Sequence, residues 1–142
     1  MVEGYNLDVF VRFTKEDSDY NFIKYHFFKH ERHKIKRDNV VNDSLLNNHI
    51  DYVLAKAKTA ILHPEESPDQ IISFAVFNDF KDSLVIHFIC TKPVFRNMGF
   101  ASKILKALPV KKHLIVTSKP KMLTLAKRAT FLPEFKFYTE DK

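Results

Sequence analysis

The sequence predicts a mixed α/β fold, one central sheet flanked by helices. Two stretches in the first part of the chain carry apolar residues at helical spacing. After them come short apolar runs separated by turn signals. One of these, Leu84 to Thr91, is apolar almost throughout. A strand buried on both faces has that character, so this run belongs in the middle of a sheet.

Each element has its own signal. Leu7, Val9, Val11 and Phe13 alternate with Asp8, Phe10 and Arg12, which predicts a first strand over Leu7 to Phe13. Thr14, Glu16 and Asp17 mark a helix start with acids in the first turn. That helix is expected to run to about Ile35, with Tyr20, Ile23 and Phe27 facing inward. Asn42 or Asp43 can cap a second helix, whose Leu46, Ile50, Val53, Leu54 and Ala57 make a one-sided apolar stripe. Thr59 to Leu62 predicts a short strand. His63 to Gln70, with Pro64 and Pro68, predicts a loop. Ile71 to Phe77 is a strand and Asn78 to Ser83 a turn. Leu84 to Thr91 is the central strand, closed by Pro93, which cannot donate to a ladder. Ala101 to Leu108 predicts a helix with Ile104, Leu105 and Leu108 inward, and His113 to Thr117 another buried strand. Ser118 can cap a helix from about Lys119 to Arg128, with Pro120 in its first turn, and Glu134 to Tyr138 is a last strand. The predicted order is β-α-α-β-β-β-α-β-α-β. With no repeat, linker or low-complexity tract, one domain over residues 1–142 is expected.

Composition narrows the class. A chain of 142 residues can bury a core without staples, and 45% hydrophobic residues with 14 Phe exclude a disordered polymer. No apolar run approaches the ~20 residues of a membrane helix, and Met1 to Tyr5 has no signal-peptide pattern. Cys90 is the single cysteine, which excludes an internal disulfide and a cysteine-based zinc cluster. A cytoplasmic protein without a membrane partner and without a metal site is expected. The net charge of +6 favours polyanions: nucleic acid, acidic protein or a phosphorylated cofactor. Only two glycines are present, Gly4 and Gly99, so Gly99 must serve wherever the body of the fold needs one.

The chemistry concentrates between Ile86 and Ser102. A buried strand stops, a loop follows, and a helix begins at Gly99. The first amides of a helix lack intrahelical partners and sit at the positive end of its dipole, which suits a phosphate group. Glycine lets backbone approach such a group closely, Ala101 is small, and Arg96 adds a fixed positive charge. Arg96-x-x-Gly99-x-Ala101, preceded by Thr91-Lys92-Pro93-Val94-Phe95 and followed by Ile104 and Leu105, resembles the Q/R-x-x-G-x-G/A signature of the GNAT acetyltransferases in its strand–loop–helix context.

The resemblance implies a GNAT-like acyl-CoA N-acyltransferase fold and acetyl-CoA as the cofactor. The amides of Asn97, Met98, Gly99, Phe100, Ala101 and Ser102, with Arg96, would hold the coenzyme A pyrophosphate. The backbone of Ile89, Cys90 and Thr91 would pair with the pantetheine arm, and one N–H there would polarise the thioester carbonyl as an amine attacks directly. Cys90 is then a small core residue rather than a nucleophile. His87 is the candidate general base. Strand alternation puts it on one face with Val85 and Ile89, arylalkylamine acetyltransferases carry a histidine at the equivalent position, and an imidazole titrates near neutral pH. The alternative is a buried histidine serving one hydrogen bond.

Near the end the chain departs from the family. Aligning Thr130-Phe131 with the family's Gly-Phe pair puts Ala126 where many members carry the tyrosine acid. Lys29, Arg32, Lys34, Lys36 and Arg37, with His26, His30 and His33, form a basic cluster. It is read as a solvated end of the first helix, with nucleic-acid or acidic-substrate contact as the sharper alternative. In this family the first two helices line the acceptor side. The function expected is acetyl transfer to a primary amine. The alternatives are a non-catalytic GNAT-like module of a viral or phage structural or accessory protein, and a basic nucleic-acid-binding domain.

Overall fold

The computed structural model describes residues 8–13, 16–36, 43–117 and 130–131, without the side chains of residues 33–36 and 131. The elements are β1 (Val9–Arg12), α1 (Asp17–Lys36), α2 (Asp43–Lys56), β2 (Lys58–Pro64), β3 (Ser73–Asp79), β4 (Ser83–Thr91), α3 (Phe100–Ala107), β5 (His113–Val116) and β6 (Thr130–Phe131). The six strands lie in sequence order in one sheet. β1 to β4 are antiparallel neighbours, whereas β5 runs parallel to β4 and β6 parallel to β5. The sheet is therefore mixed and β4 is interior, as its apolar sequence requires.

Both faces are covered, so the central strands alternate between two cores rather than between core and water. Ile61, Phe74 and Val76 pack with Ile23, Phe27, Ile50 and Val53 under α1 and α2. Ala60, Leu62, Ala75 and Phe77 pack with Phe100, Ile104 and Leu108 under α3. The ring of Phe27 on α1 stacks on Phe88 of β4, with centroids 5.0 Å apart and 2° between planes. Truncating such a buried ring costs about 3–5 kcal/mol.

Two polar ties fix the α1 layer. Tyr20 donates to Asp51 Oδ1 on α2 at 2.6 Å, and Lys24, one turn along α1, reaches the same oxygen at 2.9 Å. Arg12 on β1 donates through both terminal nitrogens to Asp19, at 2.9 and 3.0 Å.

The boundaries differ where pairing overrides local signals. β2 runs through His63 and Pro64, expected to be loop, because β1 pairs Phe10 with His63 and Val9 with Pro64. β3 starts at Ser73 and continues to Asp79, which shortens the expected 78–83 turn. α3 begins one residue early, at Phe100. β6 was not foreseen. The helix expected over 119–128 and the strand over 134–138 lie outside the described residues, as does Leu7.

Candidate functional site

β4 is the spine of the site, and its hydrogen bonding is irregular in an informative way. Along β3 the register runs Val76 to Phe88 and then Phe77 to Ile86. His87 is thus an extra residue, a β-bulge. The bulge reverses which face each later side chain serves. Leu84 and Ile86 join the α3-side core, but Phe88 packs in the α1/α2-side core with Cys90 against it. The expectation that Val85, His87 and Ile89 share a face fails here. Ile89 packs on the α3 side.

The other edge of β4 opens at the same place. β5 pairs with Ser83 to Ile86 only, and the Thr117 N–H donates to the Ile86 carbonyl at 3.1 Å as the strands part. Beyond Ile86, no strand among the described residues lies against this edge. On the other side the Lys92 N–H donates to Ile72 at 3.0 Å. Antiparallel backbone groups alternate, so Ile89 and Thr91 turn their N–H and C=O groups toward the open side. Cys90 does not, which corrects its expected place among the residues offering backbone. Its carbonyl faces β3 and accepts from Ser73 Oγ at 2.8 Å.

The open edge leads directly into the loop. Pro93–Phe95 forms one 3-10 turn, closed by the Arg96 N–H on the Pro93 carbonyl at 3.3 Å. Arg96 Nε donates back to the Thr91 carbonyl at 3.2 Å, which holds the guanidinium beside the strand end. Asn97 has φ 65° and Gly99 φ 80°. Gly99 caps α3 and its carbonyl accepts from the Lys103 N–H at 3.1 Å. A Cβ at Gly99 would meet nothing within 4 Å. Glycine is required here by the left-handed backbone rather than by crowding. Phe100, 5% exposed, roots the helix in the α3-side core, edge-on to Phe95 at 5.9 Å, with Met98 packed against the same cluster. The first-turn N–H groups of Phe100, Ala101 and Ser102 have no intrahelical partner, and they sit at the positive end of the helix.

His87 is 1% exposed. Asn78 donates its amide to the Lys56 carbonyl at 3.1 Å, so its Oδ1 is the acceptor for His87 Nε2. The imidazole therefore carries its proton on Nε2, and Nδ1 is the basic nitrogen, 3.4 Å from Thr117 Oγ1. Asn78, read from the sequence as a turn residue, and Thr117 are the partners that sequence reasoning missed. Continued alternation past Phe77 was the one available signal for Asn78.

These parts border one cleft of about 1070 Å³, between α1, the outer half of β4, the 92–97 loop and the start of α3. Its α1 wall includes Phe22, Tyr25, His26, Lys29, His30 and Arg32. The His26 ring lies 4.4 Å from Phe22 and 5.2 Å from Tyr25. Burial, then the charges of Lys29 and Lys92, hold its pKa below the usual histidine value. His30 packs on Phe88 at 5.1 Å, and Arg32 Nε donates to Asp43 at 3.0 Å. The basic cluster is thus partly a wall of the cleft rather than only a solvated helix end. The side chains of His33, Lys34 and Lys36, all of Arg37, and Ala126 lie outside the described residues. Among the described residues no cluster of His, Cys, Asp and Glu could hold a metal ion, and no helix is long and apolar enough to cross a membrane.

No family model matches the sequence, and no curated protein is similar to it. Solved structures are similar in shape. A possible acetyltransferase from Clostridium difficile 630 superposes with a TM-score of 0.56 at 11% identity, over 84% of each chain. A predicted acetyltransferase from Clostridium acetobutylicum, solved with acetyl-CoA, gives 0.52 at 17% identity, over 83% of this chain and 87% of that one. The ribosomal-protein-alanine N-acetyltransferase from Brucella melitensis biovar Abortus 2308 gives 0.51 at 11% identity, over 94% and 90%. At these identities the common property is the fold, a mixed sheet flanked by helices.

Proposed function

We propose that this chain, whose fold is that of the GNAT acetyltransferases, is an N-acetyltransferase moving an acetyl group from acetyl-CoA to a primary amine. The supporting observation is a juxtaposition. The backbone edge of β4 opens after Ile86 and runs straight to the start of α3, where Arg96 and the unpaired first-turn amides converge. An extended amide-bearing arm that ends in a pyrophosphate has the chemistry to use both. Ile89 and Thr91 would serve the arm. The amides of Asn97 to Ser102, with Arg96, would serve the phosphates. When bound, acetyl-CoA supplies an activated acetyl thioester.

The residues of this chain then have separable tasks. The Ile89 N–H donates toward an acyl carbonyl oxygen on the open edge. Nδ1 of His87 takes up a proton from the acceptor ammonium through the Thr117 hydroxyl or water, which leaves the neutral amine to attack, while Nε2 stays bonded to Asn78. An N–C bond would form as the C–S bond breaks, and the second amine proton would pass to the departing thiolate, a weakly basic leaving group that needs no strong acid.

Calorimetric titration with acetyl-CoA tests the cofactor assignment. Gly99→Glu puts a carboxylate beside the proposed phosphate site and should weaken binding more than tenfold. The left-handed backbone adds a stability cost of about 1–2 kcal/mol, so a thermal melt must show the variant folded. Unchanged affinity would overturn the assignment.

One observation supports a second reading, coenzyme A binding without turnover. His87 is almost fully buried, with hydrogen-bonding partners near both ring nitrogens. Thiol release with a panel of amines separates the two.

A further inference from the structure

Charge in the cleft is one-sided. Lys29 and Arg32 border it from α1, and Lys92 and Arg96 from the end of β4 and the loop. Among the described residues that line it there is no carboxylate. Two of these cations are already engaged: Arg32 pairs with Asp43, and Arg96 donates to the Thr91 carbonyl. Lys29 and Lys92 are different. Neither is in an ion pair among the described residues, and each ammonium rests against an aromatic ring of α1, Lys29 at 5.9 Å from Tyr25 and Lys92 at 5.3 Å from Phe22. Those two rings flank His26. Lys29 and Lys92 therefore approach one patch from two elements, an arrangement that like charges resist unless something anionic is placed between them.

We infer that this patch of Lys29, Lys92, Phe22, Tyr25 and His26 is the acceptor subsite, and that it selects an amine carrying an anionic group, a carboxylate or a phosphate. The inference rests on the acetyl-transfer reading above and names its substrate class. A polycationic acceptor finds no counter-charge among the described residues of the cleft. An anionic acceptor is drawn to the two ammoniums, while the neutral imidazole and the rings provide an uncharged surface for the rest of it. Arg96, at the start of α3, is left to the cofactor phosphates.

Matched N-terminal acceptors test this: Ala-Glu-Glu, an alanine peptide with phosphoserine second, and Ala-Lys-Lys, each with the acetyl-CoA-loaded protein. Two partly exposed charges should favour the acidic peptides about five- to tenfold in kcat/KM at low salt. The preference should shrink at high salt and reverse in Lys29→Glu/Lys92→Glu. The glutamate and phosphoserine arms distinguish the two sources of anion. Equal or better use of Ala-Lys-Lys overturns the inference and leaves the acetyl-transfer reading intact. So does a loss of coenzyme A affinity in the double variant that matches the loss of acidic-peptide turnover, because the lysines then serve the cofactor. If no peptide is acetylated, titration of the coenzyme A-loaded protein with the same peptides decides: an acidic preference upholds the inference, and no binding or a flat response overturns it. Absence of coenzyme A binding overturns the acetyl-transfer reading and the inference with it.

Discussion

His87 and Gly99 show how unevenly single residues reveal themselves. Gly99 stood out in the sequence because a chain with so few glycines spends this one between a strand and a helix, and its φ of 80° shows the conformational demand at that place. His87 was legible only as chemistry. Its setting depends on Asn78, nine positions earlier, and Thr117, thirty later, and nothing in local spacing joins them. The expected consequence of His87→Ala is lower acetyl transfer with unchanged acetyl-CoA affinity. General-base loss typically costs ~10²–10⁴-fold, so the deficit should be large where the amine is mostly protonated and small at high pH. His87→Gln keeps the volume and the bond to Asn78 but cannot take up a proton. A Gln variant with wild-type rates at neutral pH, or a deficit that is flat across pH, makes His87 structural.

At the level of elements, α1 and α2 were readable from apolar stripes, since side chains three and four apart share a helix face. The buried positions Ile23, Phe27, Leu46, Ile50, Val53 and Leu54 all came from that spacing. What spacing could not show was how the helices are tied together. Tyr20 and Lys24 converge on Asp51, a pairing across the α1–α2 crossing. Burial first, then the bond to Asp51 and its charge, push the Tyr20 hydroxyl up to about 12. Tyr20→Phe should lower the unfolding free energy by about 1 kcal/mol, since the tie is partly exposed, measured by urea denaturation. An unchanged midpoint would mean that apolar packing alone holds the two helices. Strand ends were the least readable elements, because His63 and Pro64 look like loop until β1 supplies a partner.

For the whole molecule, the edge strand β1 is fastened to the helical layer by Arg12 and Asp19. Burial raises the Asp19 pKa, but the Arg12 hydrogen bonds, the Glu16 N–H and the Arg12 charge together outweigh it and hold the carboxyl below its usual value. A depressed acid binds fewer protons in the folded state than in the unfolded one. Its contribution is therefore full above about pH 4 and lost as pH falls through the folded value. Asp19→Asn should cost about 1.5–3 kcal/mol at neutral pH, and the gap from wild type should narrow toward pH 3. A constant gap would mean that the effect is steric rather than ionic. The mixed sheet and its covered faces could be anticipated from the doubly apolar β4, whereas the bulge at His87 could not, because one extra residue leaves no mark on composition. That residue is slack in β4, a spare link between Ile86 and Phe88. Any side chain at position 87 preserves the count, so substitutions there are local events. Deleting the residue would restore plain alternation, with Phe88 still toward α1 and α2 and Ile89 still toward α3, so both cores would keep their occupants. A single-residue deletion at position 87 should therefore leave a folded protein, read by a thermal melt, at the loss of the His87 contacts with Asn78 and Thr117.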